Sequence, residues 1–403
     1  MRSNYKKLGQ FIRVVDSRNK ENRKDNLLGV STQKVFIDSV ANTVGTDFKK
    51  YKIVRKHQFT YVPDTSRRGD KIGIAMLESL DQALVSQAYT VFEVIDSNLL
   101  DPEYLMMWFR RPEFDRYARF KSHGSVREIF DWQEMCDVEL PVPSIEEQRE
   151  IVREYNVVND RIALNEQLTQ KLEDTAQAIY KQWFVDFSIP DESIVLAETK
   201  NLDFPKIPEG WEIKRIDELA NKIGSGSTPR GGKGAYKSQG ISLIRSMNVH
   251  DYQFVYEDLA FIDDVQAKKL ANVEIEPRDV LINITGVSVA RCCVVPNSVL
   301  PARVNQHVMI IRPNLEMSYY LQCALASSSY KSRLLGTSEG ASTRQALTKA
   351  DIEEFLVLVP SEGVLAKFEG IAEVIFSKIA ALAQTSQKLK ELRSIILSKL
   401  ATS

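Results

Sequence analysis

Residues 151–184 read IVREYNVVNDRIALNEQLTQKLEDTAQAIYKQWF, and residues 368–400 read FEGIAEVIFSKIAALAQTSQKLKELRSIILSKL. In the first stretch Ile151, Tyr155, Val158, Ile162, Asn165, Thr169, Leu172, Ala176, Ile179 and Trp183 fall at alternating four- and three-residue steps. In the second, Phe368, Ala372, Ile375, Ile379, Leu382, Ser386, Leu389, Arg393, Ile396 and Leu400 do the same. That spacing is a heptad seam of a and d positions. Each stretch predicts a helix of about 33 residues or more, roughly 50 Å long. A globular domain seldom offers so long a groove, so the two helices are expected to pack on each other. Asn165, Thr169 and Ser386 interrupt the apolar seam, at a cost in stability and with a role in fixing register.

The two helices belong to a longer internal repeat with a shift of 217 residues. Gly124 to Ser144 reads GSVREIFDWQEMCDVELPVPS, and Ala341 to Ser361 reads ASTRQALTKADIEEFLVLVPS. Ser125 meets Ser342, Arg127 meets Arg344, Phe130 meets Leu347, Met135 meets Ile352, and Pro143-Ser144 meets Pro360-Ser361. A duplicated unit decides the architecture before any single motif does. The order is domain (1–144), long helix (145–187), linker (188–207), domain (208–361), long helix (362–403). Inside the domains, Val91 to Ile95, Val280 to Ile284 and Val308 to Ile311 read as strands, and Pro102 to Phe109 and Ser318 to Ser328 as helices. The class is therefore α+β.

A chain of 403 residues suits two domains with connecting elements. Hydrophobic residues make up 43% and charged residues 27%, the balance of a folded globular protein. No apolar run is long enough for a membrane span, and MRSNYKKLGQF lacks a signal-peptide core, so the cytoplasm is expected. Cys136, Cys292, Cys293 and Cys323 form no CxxC pair and read as free thiols rather than zinc ligands. The net charge is −1, yet charge is unevenly spread. Arg2 to Lys71 holds 17 Lys/Arg against 7 Asp/Glu, and Lys222 to Lys349 holds 15 against 10. Local basic patches in a neutral protein fit DNA contact surfaces, or ordinary solvated charge.

Two motifs invite catalysis and fail. Pro190-Asp191 with Glu198-Thr199-Lys200 has the order of a metal-dependent nuclease, but sits in the linker with no strand to hold it. GSGSTPRGGKG at 224–234 lacks the first glycine and the final Ser/Thr of a phosphate loop. What remains is a basic, glycine-rich loop whose amides suit a DNA phosphate. No methyltransferase cofactor loop, Asn/Asp-Pro-Pro-aromatic motif or helicase phosphate loop is present. The chain has DNA-binding character without an engine.

Base edges are read by Arg, Lys, Asn and Gln, whose donors and acceptors match guanine and adenine. Candidates in the first domain are Lys34, Lys49, Lys50, Lys52, Arg55, Lys56, Arg67, Arg68, Lys71 and Arg127. In the second they are Arg230, Lys233, Tyr236 (as a stacking ring), Arg245, Asn248, Asn305, Gln306 and Arg344. Surface charge or a structural hydrogen bond competes with the DNA role at each. Arg127 and Arg344 recur in both copies, which fits a shared contact or a shared internal ion pair.

LPVPSIEEQREIV (Leu140 to Val152), KLEDTAQAIYKQWFVDF (Lys171 to Phe187), Pro208-Glu209-Gly210-Trp211, Gly226-Ser227-Thr228-Pro229 and Val304-Asn305-Gln306-His307 resemble the specificity subunits of type I restriction-modification systems. The likeness spans nearly the whole chain. It departs at PSEGVLAKFEGI (Pro360 to Ile371), which lacks the Glu-Gln pair, and matches no pattern between Arg18 and Lys71. The resemblance implies two tandem target-recognition domains related by a pseudo-twofold repeat. They would be separated by an antiparallel, coiled-coil-like helix pair. Each domain would read half of a split DNA target, with the pair setting the gap. Partners would be double-stranded DNA, two methylation subunits and, in some complexes, restriction subunits. S-adenosylmethionine, ATP and magnesium would sit on those partners, with no cofactor, metal or catalytic residue on this chain. Two other readings stay open: a structural or interaction protein working through its helix pair, and a nuclease acting through Asp191, Glu198 and Lys200.

Overall fold

The computed structural model describes residues 4–39, 45–65, 71–123, 128–229, 231–314, 316–339 and 345–401. They form two compact units. The first runs through Asp160 and resumes at Leu389, and the second is Arg161–Lys388. Both mix helix and strand, as the hydrophobic patterning predicts.

In the first unit a four-stranded antiparallel sheet runs in the spatial order Ile12–Val15, Thr90–Val94, Phe59–Tyr61, Ile74–Met76. Ile74–Met76 is buried at every residue, so both sheet faces are covered there. Helix Pro102–Phe109 packs into the same core, with Tyr104, Leu105 and Phe109 fully buried. Its start is set locally. Pro102 takes the first helical position, and the Asp101 carboxylate accepts from Glu103 N (2.8 Å) and Tyr104 N (3.2 Å).

The second unit repeats this sheet in the order Ala220–Ser225, Val308–Pro313, Val280–Asn283, Cys292–Val294, again antiparallel throughout. The repeat is not exact. Lys52–Arg55 pairs antiparallel with Gln82–Val85 in the first unit, whereas Ile241–Ile244 pairs parallel with Ala302–Val304 in the second. Each unit also has a two-stranded ribbon leading into a long helix: Tyr5–Lys7 with Glu139–Pro141, and Glu212–Arg215 with Leu356–Val359.

The long helices are Ile145–Phe184 (40 residues) and Glu362–Lys399 (38 residues). Within the second unit, Phe368 lies against Trp183 (ring centroids 6.1 Å) and Phe184 (4.9 Å), while Asn165 Nδ2 donates to Ser386 Oγ (3.1 Å). Position 183 facing 368 and position 165 facing 386 make that pairing antiparallel. Two of the polar interruptions therefore satisfy each other inside the seam. Within the first unit Arg393 Nη1 donates to Asn159 Oδ1 (3.2 Å), and Leu400 shares the core of Val152 and Tyr155. Tyr155, Val158, Ile162, Trp183, Phe368, Ile375, Ile379, Leu382 and Leu400 are buried, and Ile151, Leu172, Ile179, Leu389 and Ile396 are half-buried. Each fully buried large side chain contributes about 1.5–3 kcal/mol.

The first long helix is stitched to its domain by Gln148, which is fully buried. Its Nε2 donates to Leu99 O (3.1 Å) and Pro143 O (2.9 Å), and its Oε1 accepts from Asp101 N (2.9 Å). The position 217 residues on is Leu365, also buried. Both helices open on the same turn, Gln148 N to Ser144 O and Leu365 N to Ser361 O, each 2.9 Å. The missing Glu-Gln pair of the second copy is thus a polar stitch replaced by an apolar one.

The segment expected to be a plain linker holds a short hairpin, Leu196–Glu198 against Lys206–Pro208. Glu198 and Lys200 are exposed on it, and no cluster of three metal-binding side chains occurs among the described residues. Cys292, Cys293 and Cys323 are buried free thiols and Cys136 is half-buried. No described helix is long and apolar enough to cross a membrane.

Candidate nucleic-acid interface

In the second unit four chain segments converge at one end of the sheet's strands, beyond Ser225, Asn283 and the start of Val308–Pro313. Glycine at 226 makes the approach feasible: a Cβ there would lie 1.7 Å from Val304 O. Gly226 N donates to Asn305 O (3.1 Å), which ties the glycine-rich loop to the Val304–His307 corner. A directed chain of side-chain bonds follows. Thr228 Oγ1 donates to Gln306 Oε1, and the Gln306 amide donates to His307 Nε2 (3.1 Å). That leaves His307 Nδ1 protonated and donating to Thr285 Oγ1 (2.6 Å). Behind them the backbone closes the cluster through Ile284 N to His307 O (3.0 Å), Gly286 N to Gln345 O (3.0 Å) and Leu347 N to Ile284 O (2.8 Å). Thr285 keeps its hydroxyl proton, and the exposed Gln306 keeps one N–H and one lone pair. The cluster therefore presents a fixed pattern of donors and acceptors, the chemistry that base edges and phosphates require.

The structure sorts the sequence candidates by burial and by what their polar atoms already hold. Gln306 lies in the cluster. Arg245 lies half-buried with its guanidinium 5.5 Å from the Tyr236 ring, and its Nη2 donates to Asp258 O. Tyr236 packs on the core beneath, so its ring is no free stacking platform. Asn248 is a correction: it is fully buried and donates to Val255 O (2.9 Å) and Glu257 O (3.2 Å), holding a loop instead of facing solvent. Asn305 is likewise buried, its Oδ1 accepting from His307 N (3.0 Å), and acts by shaping the corner.

In the first unit Lys34 is the clearest correction. It is buried, its ammonium 2.7 Å from Asp115 Oδ1, and it donates to Phe109 O. Burial pushes the Lys34 ammonium down and the Asp115 carboxylate opposes that. A charge so committed anchors the fold and reads no base. Lys52 is half-buried and donates to Tyr89 O (2.6 Å); burial lowers its ammonium too. Lys49, Lys50, Arg55, Lys56 and Lys71 are exposed. Lys49 and Lys50 sit on a short turn capped by Asp47, whose carboxylate accepts from Lys49 N (3.1 Å). Lys56 and Lys71 border a cleft of about 860 Å³ that also takes in Arg110 and Arg393. Glu78, Glu103 and Asp160 line it as well, so it is no purely cationic groove. Arg67, Arg68, Arg127, Arg230 and Arg344, and the side chain of Lys233, lie outside the described residues.

Sequence reasoning missed Thr228, Thr285, His307 and Gln345 as site residues. Two of the stretches behind the family resemblance, 226–229 and 304–307, were the available signal. Their meeting through Gly226 and Thr228 explains why both matter.

Comparison with known proteins agrees with this architecture. The family model described as "Type I restriction modification DNA specificity domain" matches residues 3–174. The chain is 26% identical over 302 residues to the type I restriction enzyme MjaIX specificity subunit of Methanocaldococcus jannaschii, covering 74% of this chain and 68% of that one. It is 22% identical over 455 residues to the type I restriction enzyme HindI specificity subunit of Haemophilus influenzae, covering 98% and 97%. The S subunit of a type I restriction-modification system from M. genitalium shares the fold, with a TM-score of 0.58 at 14% identity over 98% of this chain and 95% of that one. Residues 3–174 thus match a type I restriction-modification DNA specificity domain, and over most of its length the chain is similar to the specificity subunits of type I restriction enzymes.

Proposed function

We propose that each unit reads one half of a bipartite DNA target, that the helix pair sets the gap between the halves, and that it docks two methylation subunits. The observation that carries this reading is the duplication itself. One four-stranded sheet order occurs twice, each copy joined to a long helix. A duplicated reader suits a split, non-palindromic site. Half-sites on one DNA face recur about every 34–36 Å, a length that helices of this size can span. The Thr228–Gln306–His307–Thr285 cluster would contact one half-site. In the first unit the exposed Lys49, Lys50, Arg55 and Lys71 would grip phosphates of the other, making binding salt-sensitive. S-adenosylmethionine, and ATP with magnesium where restriction subunits join, would be held by partner chains in the cytoplasm.

The test is methylation mapping of host DNA with and without this gene. Loss of a two-part adenine-methylated motif of fixed gap on deletion is the expected result. A methylome unchanged by deletion, with the gene and its methylation partners expressed, would overturn the reading and favour an interaction protein working through its helix pair.

A further inference from the structure

Next to the donor–acceptor cluster stands a side chain with no role in the fold. Val287 is fully exposed, the most exposed of the described large hydrophobic residues, while Val289 and Ala290 beside it are buried. It tops a tight turn, Gly286–Ser288. Gly286 has φ +74°, a conformation glycine adopts without strain. Gly286 N donates to Gln345 O (3.0 Å), Val289 N to Gly286 O (3.0 Å), Arg291 N to Ser288 O (3.1 Å) and Ala290 N to Asn283 O (2.9 Å). The turn is thus pinned on both sides, and valine is stiff about χ1. A rigid apolar tip is held two residues from Thr285, whose hydroxyl carries the end of the Thr228–Gln306–His307 chain.

We infer that Val287 reads a thymine through its 5-methyl group in the major groove. This rests on the DNA-reading proposal above. Its warrant is chemical complementarity. The neighbouring groups of the cluster are polar and suit base acceptors and donors. The thymine methyl is the one apolar group the base edges present in that groove. A β-branched side chain of two methyls matches it in size. A wedge between base steps would call for a longer side chain such as Phe, Leu or Met.

The test uses the full chain assembled with its methylation subunits. The probes are duplexes carrying the mapped motif, with each thymine replaced singly by uracil, which lacks only the methyl. At one position in one half-site, wild type should lose about fourfold in affinity, the worth of one buried methyl group. Val287→Ala should bind the thymine duplex about fourfold more weakly and be indifferent to uracil at that position. Val287→Thr, which keeps one methyl, should retain part of the uracil sensitivity. Thermal melts matching wild type show that the variants fold. An identical uracil profile in wild type and Val287→Ala, or no sensitive thymine at all, overturns the inference while leaving motif-selective binding intact. Loss of motif selectivity in the wild-type complex itself overturns both.

Discussion

Replacing Gln148 by leucine should loosen the first unit and leave the second untouched. The substitution imitates the second copy, where Leu365 holds the equivalent place. In the first copy the surroundings differ. Gln148 satisfies Asp101 N, Leu99 O and Pro143 O, and leucine strips a partner from all three. Each unpaired buried group costs about 1–3 kcal/mol, and the apolar side chain returns about 2 kcal/mol. The net loss is about 3 kcal/mol, equivalent to a fall in Tm of roughly 6–12 °C for a unit of this size. Hydrogen exchange on the full chain is the decisive assay, because a two-unit protein need not unfold in one step. Protection should fall across Pro102–Phe109 and the start of the first long helix, and hold at Val280–Asn283. Unchanged exchange at Asp101 to Leu105 in the leucine variant would refute the stitch.

Three further outcomes follow from the geometry. Glu173 is buried on the first long helix with Oε1 unpartnered among the described residues, and burial lifts its carboxyl from 4.5 to about 7. The folded state therefore holds the proton more tightly. This stabilisation is complete below about pH 4.5 and lost as pH rises through about 7. Glu173→Gln should flatten that decline and gain up to about 3 kcal/mol at high pH, read by denaturant melts from pH 4 to 8; parallel wild-type and variant curves would refute it. Lys34→Met leaves Asp115 buried without its cation and should cost about 3–5 kcal/mol, and Lys34→Met with Asp115→Leu should recover much of it in a double-mutant cycle. Gly226→Ala drives a methyl into Val304 O, so it should break the Gly226–Asn305 contact and weaken DNA binding by the assembled complex, while secondary structure by circular dichroism stays intact.

The long helices were legible because periodicity over ten seam positions is redundant: Asn165, Thr169 and Ser386 interrupt it without hiding it. Strand limits such as Thr90–Val94 and Val308–Pro313 lie within two residues of the sequence reading, since the apolar runs end at turn residues. The hairpin at Leu196–Glu198 was invisible because its strands are three residues long with little apolar pattern. The candidate site was legible only in part. Lys34 and Asn248 have the right side chains for DNA, and nothing in local sequence reveals Asp115, 81 residues on, or the Val255 and Glu257 carbonyls that consume them. Thr228 and Gln306 were separated by 78 residues, so their meeting is a tertiary fact.

The first unit is discontinuous in the chain, and this bears on how it is made. Leu400 fills its core, and Tyr5 Oη donates to Ala401 O (2.8 Å). The second unit, Arg161–Lys388, is contiguous. During synthesis the earlier-made domain must therefore wait with an unfinished core while the later one is translated and folds. At typical rates of about 5–20 residues per second, that delay is roughly 10–50 s. Over that interval the groove that will receive Leu400 stands open on the nascent chain. The order of completion is thus the reverse of the order of translation, and a chain truncated after Lys388 would carry every residue of the second unit tethered to an unfinished first.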